Sequence, residues 1–271
     1  MSGNSGAVRF LYGTVLGRML LKGIMVTHAD RLAVAFLRSR LSRWVVAPYA
    51  RRNGIELTAE QLGSFASYSD FFVRTRELAD FDEAPGHLIS PCDGRLSVYP
   101  VQEDSCFAIK NSQYSLEDLL QDEALAADFA GGYCFVFRLC PTDYHHYCYI
   151  DSGYQGENRF VPGVLHSVQP IACEKHPVFV LNRRCWTLLR TDHFGLVVQT
   201  EIGALVVGGI VNPRENQRVR RGEEKGYFEL AGSTITLLLQ KDRVRLRPEL
   251  EGALRGEVPV RQGEWIATAE K

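Results

Sequence analysis

The chain has 271 residues, of which 45% are apolar and 23% charged, and its formal net charge at pH 7 is −1. This length and composition are typical of a folded soluble protein and exclude both a fully disordered chain and a multi-span membrane protein. Seven cysteines occur without a CxxC pair. That spacing argues against a zinc finger and favours reduced thiols in a cytosol-like compartment.

The small net charge hides a basic N-terminal segment. Residues 1–54 contain nine Lys or Arg residues and one acid, Asp30, so this segment carries +8 and the remainder −9. Apolar residues recur there at helical spacing in two groups, which are Leu16, Met19, Leu20 and Ile24, and then Leu32, Phe36, Leu37, Leu41 and Val45. The segment is therefore predicted to form basic amphipathic helices.

The partner of these helices follows from their pattern. Arg18 and Lys22 interrupt the apolar run over residues 10–26, which is too short for a spanning helix and unlike a cleaved signal peptide. We expect the helices to lie on an anionic membrane surface, at the cytoplasmic face of the cell membrane, with a helical hairpin packed on the protein's own core as the alternative. Nucleic acid is not an expected partner, because no recognition motif accompanies the basic stripe.

The rest of the chain changes from helical to β texture. A helix start is predicted at Thr58, with Glu60 and Gln61 in its first turn, and a further helix over 115–129. Short β-like runs bounded by Gly, Pro, Asn and Asp follow from about His87, over 95–101, 133–140, 160–168, 194–200, 204–211, 226–231 and 234–240. We therefore predict an α+β fold: membrane-associating helices over 1–54, a helical connector over 55–86, and a mainly antiparallel β catalytic domain over 87–271.

Three polar clusters could carry chemistry. Asp93 lies in "SPCDG", the group Asp143, His145, His146 and Cys148 follows an apolar run, and Gly232-Ser233-Thr234 interrupts a strand pattern. Each has a structural reading, as an Asp-Gly turn, a surface histidine pair and a β-bulge. Order and spacing alone do not distinguish a nucleophilic triad from coincidence. A metal site of His145, His146 and Cys148 would lack a convincing fourth ligand, so no metal is expected.

Longer motifs make the chain similar to a known family. They are "LYGTVLGRMLL", "SYSDFFVRTREL", "SPCDG", "LCPTDYHHY", "VPGVLHSVQP", "GALVVGGI" and "RGEEKGYFELAGST", and they extend over nearly the whole sequence. With these motifs the chain resembles the phosphatidylserine decarboxylases, which are pyruvoyl-dependent and process themselves.

The resemblance implies that the peptide bond between Gly232 and Ser233 breaks itself. The serine hydroxyl would attack the preceding carbonyl to form an ester, and elimination and hydrolysis would leave a pyruvoyl group at the former Ser233. The products would be a large chain, 1–232, and a small chain, 233–271. The pyruvoyl ketone would form a Schiff base with phosphatidylserine and accept the electrons released with carbon dioxide, giving phosphatidylethanolamine.

The resemblance also implies roles for other residues. Asp93 would orient and charge-stabilise the base during self-cleavage, and His145 would assist decarboxylation or reprotonation. The implied partners are phosphatidylserine, an anionic membrane surface, the two chains for each other and a second copy in a homodimer.

One position departs from the family pattern. The family usually has Asp-Tyr-His-x-x-His, and its second histidine, the presumed base of self-cleavage, is Cys148 here. If the segment turned helically after Pro141, His145 and Cys148 would share a face, and a thiolate could serve as the base. The alternatives are that His146 supplies the imidazole, or that the chain is an unprocessed homologue that binds anionic phospholipid without catalysis.

Overall fold

The computed structural model describes residues 6–27, 30–76, 81–109, 112–164, 166–173, 176–204, 209–230 and 232–270. Its N-terminal part is helical, as the apolar spacing predicts. The helices are α1 (Gly6–Gly13), α2 (Val15–Thr27), α3 (Asp30–Arg38) and α4 (Arg43–Arg52), with a 3₁₀ turn at Arg40–Ser42. The side chain of Ile24, one of the residues behind the prediction, lies outside the described part.

Two short helices connect this segment to the β-rich part. They are α5 (Ala59–Ser64) and α6 (Tyr68–Phe72). The predicted start at Thr58 is confirmed, because its hydroxyl accepts from the Gln61 amide at 3.1 Å while the Gln61 side chain accepts from the Thr58 amide at 2.9 Å. This reciprocal cap satisfies two backbone donors that a helix start would otherwise leave free. Helix α6 buries Phe71 and Phe72, and the Phe72 ring packs against the ring of His145.

An eight-stranded antiparallel sheet forms the centre of the protein. Its order is β11-β7-β8-β9-β13-β5-β2-β15. The strands are β2 (Gly94–Pro100), β5 (Tyr133–Leu139), β7 (Gly153–Val161), β8 (Arg184–Thr191), β9 (Gly195–Ile202), β11 (Gln217–Val219), β13 (Ser233–Leu239) and β15 (Val258–Val260). Strand β13 lies between β9 and β5, and all seven of its residues are buried.

Smaller elements cover the two faces of this sheet. The remaining strands are β1 (His87–Ile89), β3 (Cys106–Ile109), β4 (Ser112–Ser115), β6 (His146–Cys148), β10 (Gly209–Val211), β12 (Glu224–Glu229), β14 (Val244–Leu246) and β16 (Trp265–Ala269), and the remaining helices are α7 (Leu116–Leu120), α8 (Glu123–Ala127), α9 (Pro170–Cys173) and α10 (Val178–Leu181), with a 3₁₀ helix at Pro248–Leu254. The three-stranded sheets β1-β16-β14 and β10-β12-β6 cover one face, where Ile235 and Leu237 point. Helices α7 to α10 cover the other face.

The α+β class is confirmed, whereas two element predictions need correction and a third is tested only in part. The helix predicted over 115–129 is two short helices, because Gln121 adopts a left-handed conformation (φ 53°) and Asp122 caps a new helix. The strand predicted over 160–168 is β7, which ends at Val161 before Pro162-Gly163. Of the strand predicted over 204–211, residues 205–208 lie outside the described part and only 209–211 are a strand there. The division at residues 54 and 86 stays a prediction.

Candidate active site

Ser233 begins the central strand with a buried and unsatisfied hydroxyl. It is 0% exposed and pairs with Leu139 of β5. Its Oγ has no hydrogen-bond partner within the described ranges. Leaving a buried hydroxyl unpaired costs about 1–3 kcal/mol. The hydroxyls of Thr234 and Thr236 on the same strand also have no partner among the described residues, so what distinguishes Ser233 is its position directly after Gly232 at the start of the strand.

Gly232 is required by close approach rather than by a left-handed backbone. A Cβ at this position would lie 3.2 Å from the carbonyl oxygen of Leu139 and 3.8 Å from Cδ of Pro141. The left-handed residue of this connection is Leu230, which is fully buried at φ 62°. A leucine in that conformation costs about 1–2 kcal/mol, so backbone strain lies two residues before the Gly232–Ser233 bond. The register of β13 is unbroken from its first pair onward.

Sheet register brings the Asp93 loop to the same edge as Ser233. Arg138 of β5 pairs with Arg95 of β2 on one side and with Thr234 of β13 on the other. The segments that enter β2 and β13 therefore flank the end of β5, two strand spacings or about 10 Å apart. The structure thus brings together two clusters separated by about half of the sequence.

The Asp93 carboxylate is held by two residues that the sequence reading did not select. The Arg76 guanidinium donates to both oxygens of Asp93, at 2.7 and 2.9 Å. The backbone N–H of Gln262 donates to Oδ1 of Asp93 at 2.9 Å. These groups line a cavity of about 1040 Å³, together with Asp82 and Trp265. The carboxylate is thus fixed in place and charge-balanced. Arg76 lies within the motif "SYSDFFVRTREL", so the resemblance could have identified it as a site residue. Gln262 lies outside all of these motifs, and no sequence pattern identifies it.

His145 is a buried neutral imidazole with one free nitrogen. Its Nδ1 lies 2.8 Å from the carbonyl oxygen of Asp143, which can only accept, so Nδ1 carries the proton. Nε2 therefore carries the lone pair, and it has no partner among the residues described. Burial lowers the pKa of His145 to about 3, opposed by the bond to Asp143 and assisted by the nearby Arg74 charge. The ring packs 4.3 Å from that of Phe72.

The loop that carries His145 is closed by Asp143. Its Oδ2 accepts from the Cys140 amide at 2.7 Å, and its own amide donates to the Cys140 carbonyl at 2.9 Å. Burial raises the pKa of Asp143, and the Asp93 charge contributes further to the increase. Asp143 was singled out in the sequence cluster, and the structure places it as the residue that positions His145.

His146 is poorly placed to act as a base. Its Nδ1 lies 2.8 Å from Oε2 of Glu224 and its Nε2 lies 3.0 Å from the carbonyl oxygen of Val73. Both nitrogens are thus engaged by contacts within the fold. The ring is also stacked between Tyr144 and Tyr227 at centroid distances of 4.8 and 4.9 Å. Its contacts hold β6 against the end of α6 and β12.

Cys148 does not share a face with His145, so the expectation of a helical turn is wrong. His145 directly precedes strand β6, and its carbonyl accepts from the Phe228 backbone amide of β12 at 3.0 Å, so it continues the pairing of that strand. Residues three positions apart along a strand point to opposite sides. The Cys148 thiol is fully buried and donates to the Ser90 carbonyl at 3.8 Å, and its amide donates to Pro91 at 2.9 Å. Burial raises the pKa of this thiol to about 12. Cys148 thus packs against the Asp93 loop as a neutral thiol.

The N-terminal helices lie against this edge of the sheet. Tyr49 of α4 donates to the Pro141 carbonyl at 3.1 Å, and Arg38 of α3 forms an ion pair with Glu229 at 2.6 Å. Both contacts are next to the Gly232–Ser233 connection. Within the described ranges, no group of three His, Cys, Asp or Glu side chains is arranged to hold a metal ion.

Comparison with known proteins adds an independent observation. The family model described as "Phosphatidylserine decarboxylase" matches residues 68–268. "Phosphatidylserine decarboxylase proenzyme 2" of Clostridium acetobutylicum is 37% identical over 267 residues, which cover 97% of this chain and 91% of the relative. A "Phosphatidylserine decarboxylase proenzyme" of Clostridium perfringens is 34% identical, covering 96% and 92%, and one of Desulfitobacterium hafniense is 32% identical, covering 97% and 92%.

Proposed function

Since the chain belongs to the phosphatidylserine decarboxylase family, we propose that it converts phosphatidylserine to phosphatidylethanolamine and carbon dioxide with a pyruvoyl group made from Ser233. Self-cleavage between Gly232 and Ser233 would give chains of residues 1–232 and 233–271. The observation that carries the proposal is the buried Ser233 hydroxyl without a described partner, next to a glycine that leaves the peptide bond unobstructed.

The surroundings of Ser233 suit such a group. Its side chain is fully buried, and a small uncharged ketone would cost less to bury there than a charged group. When present, the pyruvoyl group supplies an electron sink for decarboxylation. Leu139 on β5 and Ile202 on β9 pair with the first residues of β13 and would hold that end of the small chain in the sheet after cleavage.

His145 is the proposed proton carrier of the site. Its free Nε2 can take the proton of the Ser233 hydroxyl as Oγ attacks the Gly232 carbonyl, and it can return a proton when the leaving amine departs. Its low pKa keeps this nitrogen unprotonated at neutral pH. Decarboxylation consumes one proton, and the same nitrogen would take that proton from solvent and pass it to the substrate carbon as carbon dioxide leaves. Asp93, fixed by Arg76 and Gln262, would stabilise the positive charge that His145 acquires.

Cys148 is the alternative base, and its replacement distinguishes the two routes. With a pKa of about 12, only on the order of 10⁻⁵ of the thiols are ionised at pH 7. We expect Cys148→Ser to cleave at the parental rate at pH 7, because serine fits the same small buried position and leaves the proposed base, His145, unchanged. Cleavage would be followed by intact mass after synthesis in a cell-free system. Loss of cleavage in Cys148→Ser, with a parental rate that rises tenfold per pH unit, would identify the thiolate as the base.

The N-terminal helices would bring the site to its lipid substrate. No helix in the described part of the chain is long and apolar enough to cross a membrane. Large apolar side chains are nevertheless exposed along these helices, among them Phe10, Val15, Leu16, Met19, Leu20, Leu32, Phe36, Leu41 and Trp44. With the +8 charge of residues 1–54, this surface fits peripheral binding to an anionic membrane, which we place at the cytoplasmic face.

Vesicle binding tests the membrane surface. Leu16 and Met19 are 67% and 68% exposed, and a Leu16→Glu/Met19→Glu variant should bind phosphatidylserine vesicles more than about tenfold less tightly. The reason is that each such side chain contributes about 1.5–3 kcal/mol when buried in an apolar phase, while the new charges are repelled by the lipid. The matched control is Leu254→Glu, at an exposed apolar position of the β-rich part. Equal binding of all three proteins in a sedimentation assay would contradict the assignment.

Mass analysis of the purified protein tests the function itself. We expect two chains, of residues 1–232 and 233–271, and the smaller chain should have a pyruvoyl terminus that reacts with a hydrazide probe. The same protein should release carbon dioxide from phosphatidylserine. A chain that stays full length yet binds phosphatidylserine vesicles would instead support an unprocessed lipid-binding homologue. The raised pKa of Cys148 favours this second candidate only if His145 does not act as the base.

A further inference from the structure

A completely buried ion pair lies close to the proposed cleavage site and has no part in the mechanism above. Lys225 Nζ is 2.9 Å from Oε1 of Glu201, and both side chains are 0% exposed. Lysine and glutamate are rarely buried to this extent, and the cost of removing both charges from water often exceeds the attraction between them. The pair therefore calls for an explanation other than stability.

Further polar groups join the pair into one cluster, here called the Lys225 network. Gln199 donates to Oε1 of Glu201 at 3.0 Å, and Asn212 donates to Oε2 at 2.8 Å. Tyr147 in turn donates to Oδ1 of Asn212 at 2.8 Å, and Lys225 Nζ lies 5.8 Å from the centre of the Tyr147 ring. Both oxygens of Glu201 are thus occupied, and the cluster has a defined geometry.

The members of the network come from the strands that carry the parts of the proposed site. Glu201 on β9 pairs with Ile235, two residues after Ser233 and on the same face of the sheet. Lys225 is on β12, which leads into the Gly232–Ser233 bond. Tyr147 is on β6, two residues after His145. One buried cluster thus links β9, which pairs with the strand of Ser233, β12, which precedes the Gly232–Ser233 bond, and β6, which follows His145.

The Lys225 network matters for the Gly232–Ser233 bond because that bond lies in the connection between β12 and β13. Strand β13 is held on both sides by β9 and β5, whereas β12 is paired only within the small sheet β10-β12-β6. The left-handed Leu230 stands between them. If β12 could slide relative to β9, the strain at Leu230 would be released and the position of the Gly232 carbonyl relative to the Ser233 hydroxyl would change.

We infer that Lys225 and Glu201 are positioning residues for self-cleavage, which hold β12 and β6 against β9 so that the Gly232 carbonyl, the Ser233 hydroxyl and His145 stay aligned. The inference rests on the proposed function. It assigns no proton transfer to either residue. A displacement of about 1 Å at a reacting centre can lower a rate about a hundredfold, so small shifts of β12 are sufficient for a large effect.

A charge-free variant separates positioning from stability. Lys225→Met alone leaves the Glu201 charge buried without its cation and should destabilise the fold, whereas Lys225→Met/Glu201→Gln removes both charges, keeps an amide for Gln199 and Asn212, and should recover most of the stability. Unfolding would be measured in a Ser233→Ala background and cleavage by intact mass in the Ser233 protein. We expect the double variant to fold normally and yet cleave about tenfold to a hundredfold more slowly.

A second buried pair serves as the matched control. Arg221 and Asp151 are 9% and 1% exposed and 3.4 Å apart, at the β7 and β11 side of the sheet. Arg221→Met/Asp151→Asn should cleave at the parental rate. Tyr147→Phe removes only the bond to Asn212, so it provides a milder variant that should cleave several-fold more slowly even if the double variant does not fold.

The outcomes distinguish the inference from the proposed function. Parental cleavage in Tyr147→Phe and in a folded Lys225→Met/Glu201→Gln overturns the inference alone. Equal slowing in the Arg221 and Asp151 control also overturns it, because any buried pair would then have the same effect. A parental chain that never cleaves contradicts the proposed function and removes the inference with it.

Discussion

Ser233→Ala should leave a single full-length chain without decarboxylase activity. Alanine has no hydroxyl to attack the Gly232 carbonyl and no leaving group on Cβ whose elimination could give the precursor of the ketone, so cleavage and cofactor disappear together. The fold should be retained, because the lost hydroxyl has no partner in the described part of the protein and its removal relieves an unsatisfied buried group. Intact mass, carbon dioxide release from phosphatidylserine vesicles and thermal unfolding would be measured on the same preparation.

A second buried serine provides the control for this prediction. Ser97 on β2 donates to the Gly256 carbonyl at 3.0 Å, and Ser97→Ala should still yield both chains and activity. Full processing or residual turnover in Ser233→Ala would contradict the pyruvoyl assignment. A Ser233→Ala chain that fails to fold would also speak against it, because the serine would then be a structural residue whose loss explains the inactivity.

Local patterns predicted the elements whose causes are local. Thr58 and Gln61 are three positions apart and form the cap by themselves, and the alternation of Ile235, Leu237 and Leu239 is a direct consequence of one sheet face meeting the core. The prediction of one helix over 115–129 was wrong because a single residue, Gln121, leaves the helical conformation. Helix propensity summed over about a 15-residue window does not detect a break at one residue.

The contacts of the site depend on tertiary structure and were harder to predict. Asp93 and Ser233 were noted as members of polar clusters, and the resemblance alone assigned their roles. Their proximity follows from the register of β2 and β13 on either side of β5. Gln262, which holds Asp93, is 169 positions away and resembles any turn residue. The direction in which the Cys148 side chain points depends on whether residues 146–148 form a helix or a strand. They form a strand because they pair with β12, which lies 76 to 81 positions later in the sequence.

His145→Asn should lower the decarboxylase kcat/KM, per molecule of pyruvoyl, by about 10²–10⁴-fold and slow self-cleavage as well. The asparagine amide can still donate to the Asp143 carbonyl and keep the loop in place, so the change removes Nε2 and little else. His193→Asn, at a half-exposed histidine that pairs with Asp151, is the matched control and should be fully active. Unchanged turnover in His145→Asn, or an equal loss in His146→Asn, would contradict the assignment.

The depressed pKa of His145 gives the same variant a second signature that does not depend on activity. In the unfolded chain His145 takes up a proton below its ordinary pKa of 6.5, whereas in the folded protein it stays neutral until about 3. The unfolded state therefore binds more protons in this window, and the free energy of unfolding should fall as the pH is lowered from 6.5 toward 3. In a Ser233→Ala background, chemical denaturation at pH 7 and pH 5 should show a smaller acid-induced loss for His145→Asn than for its parent. Equal losses in the two proteins would mean that His145 is not held neutral, and a charged imidazole could not take the Ser233 proton.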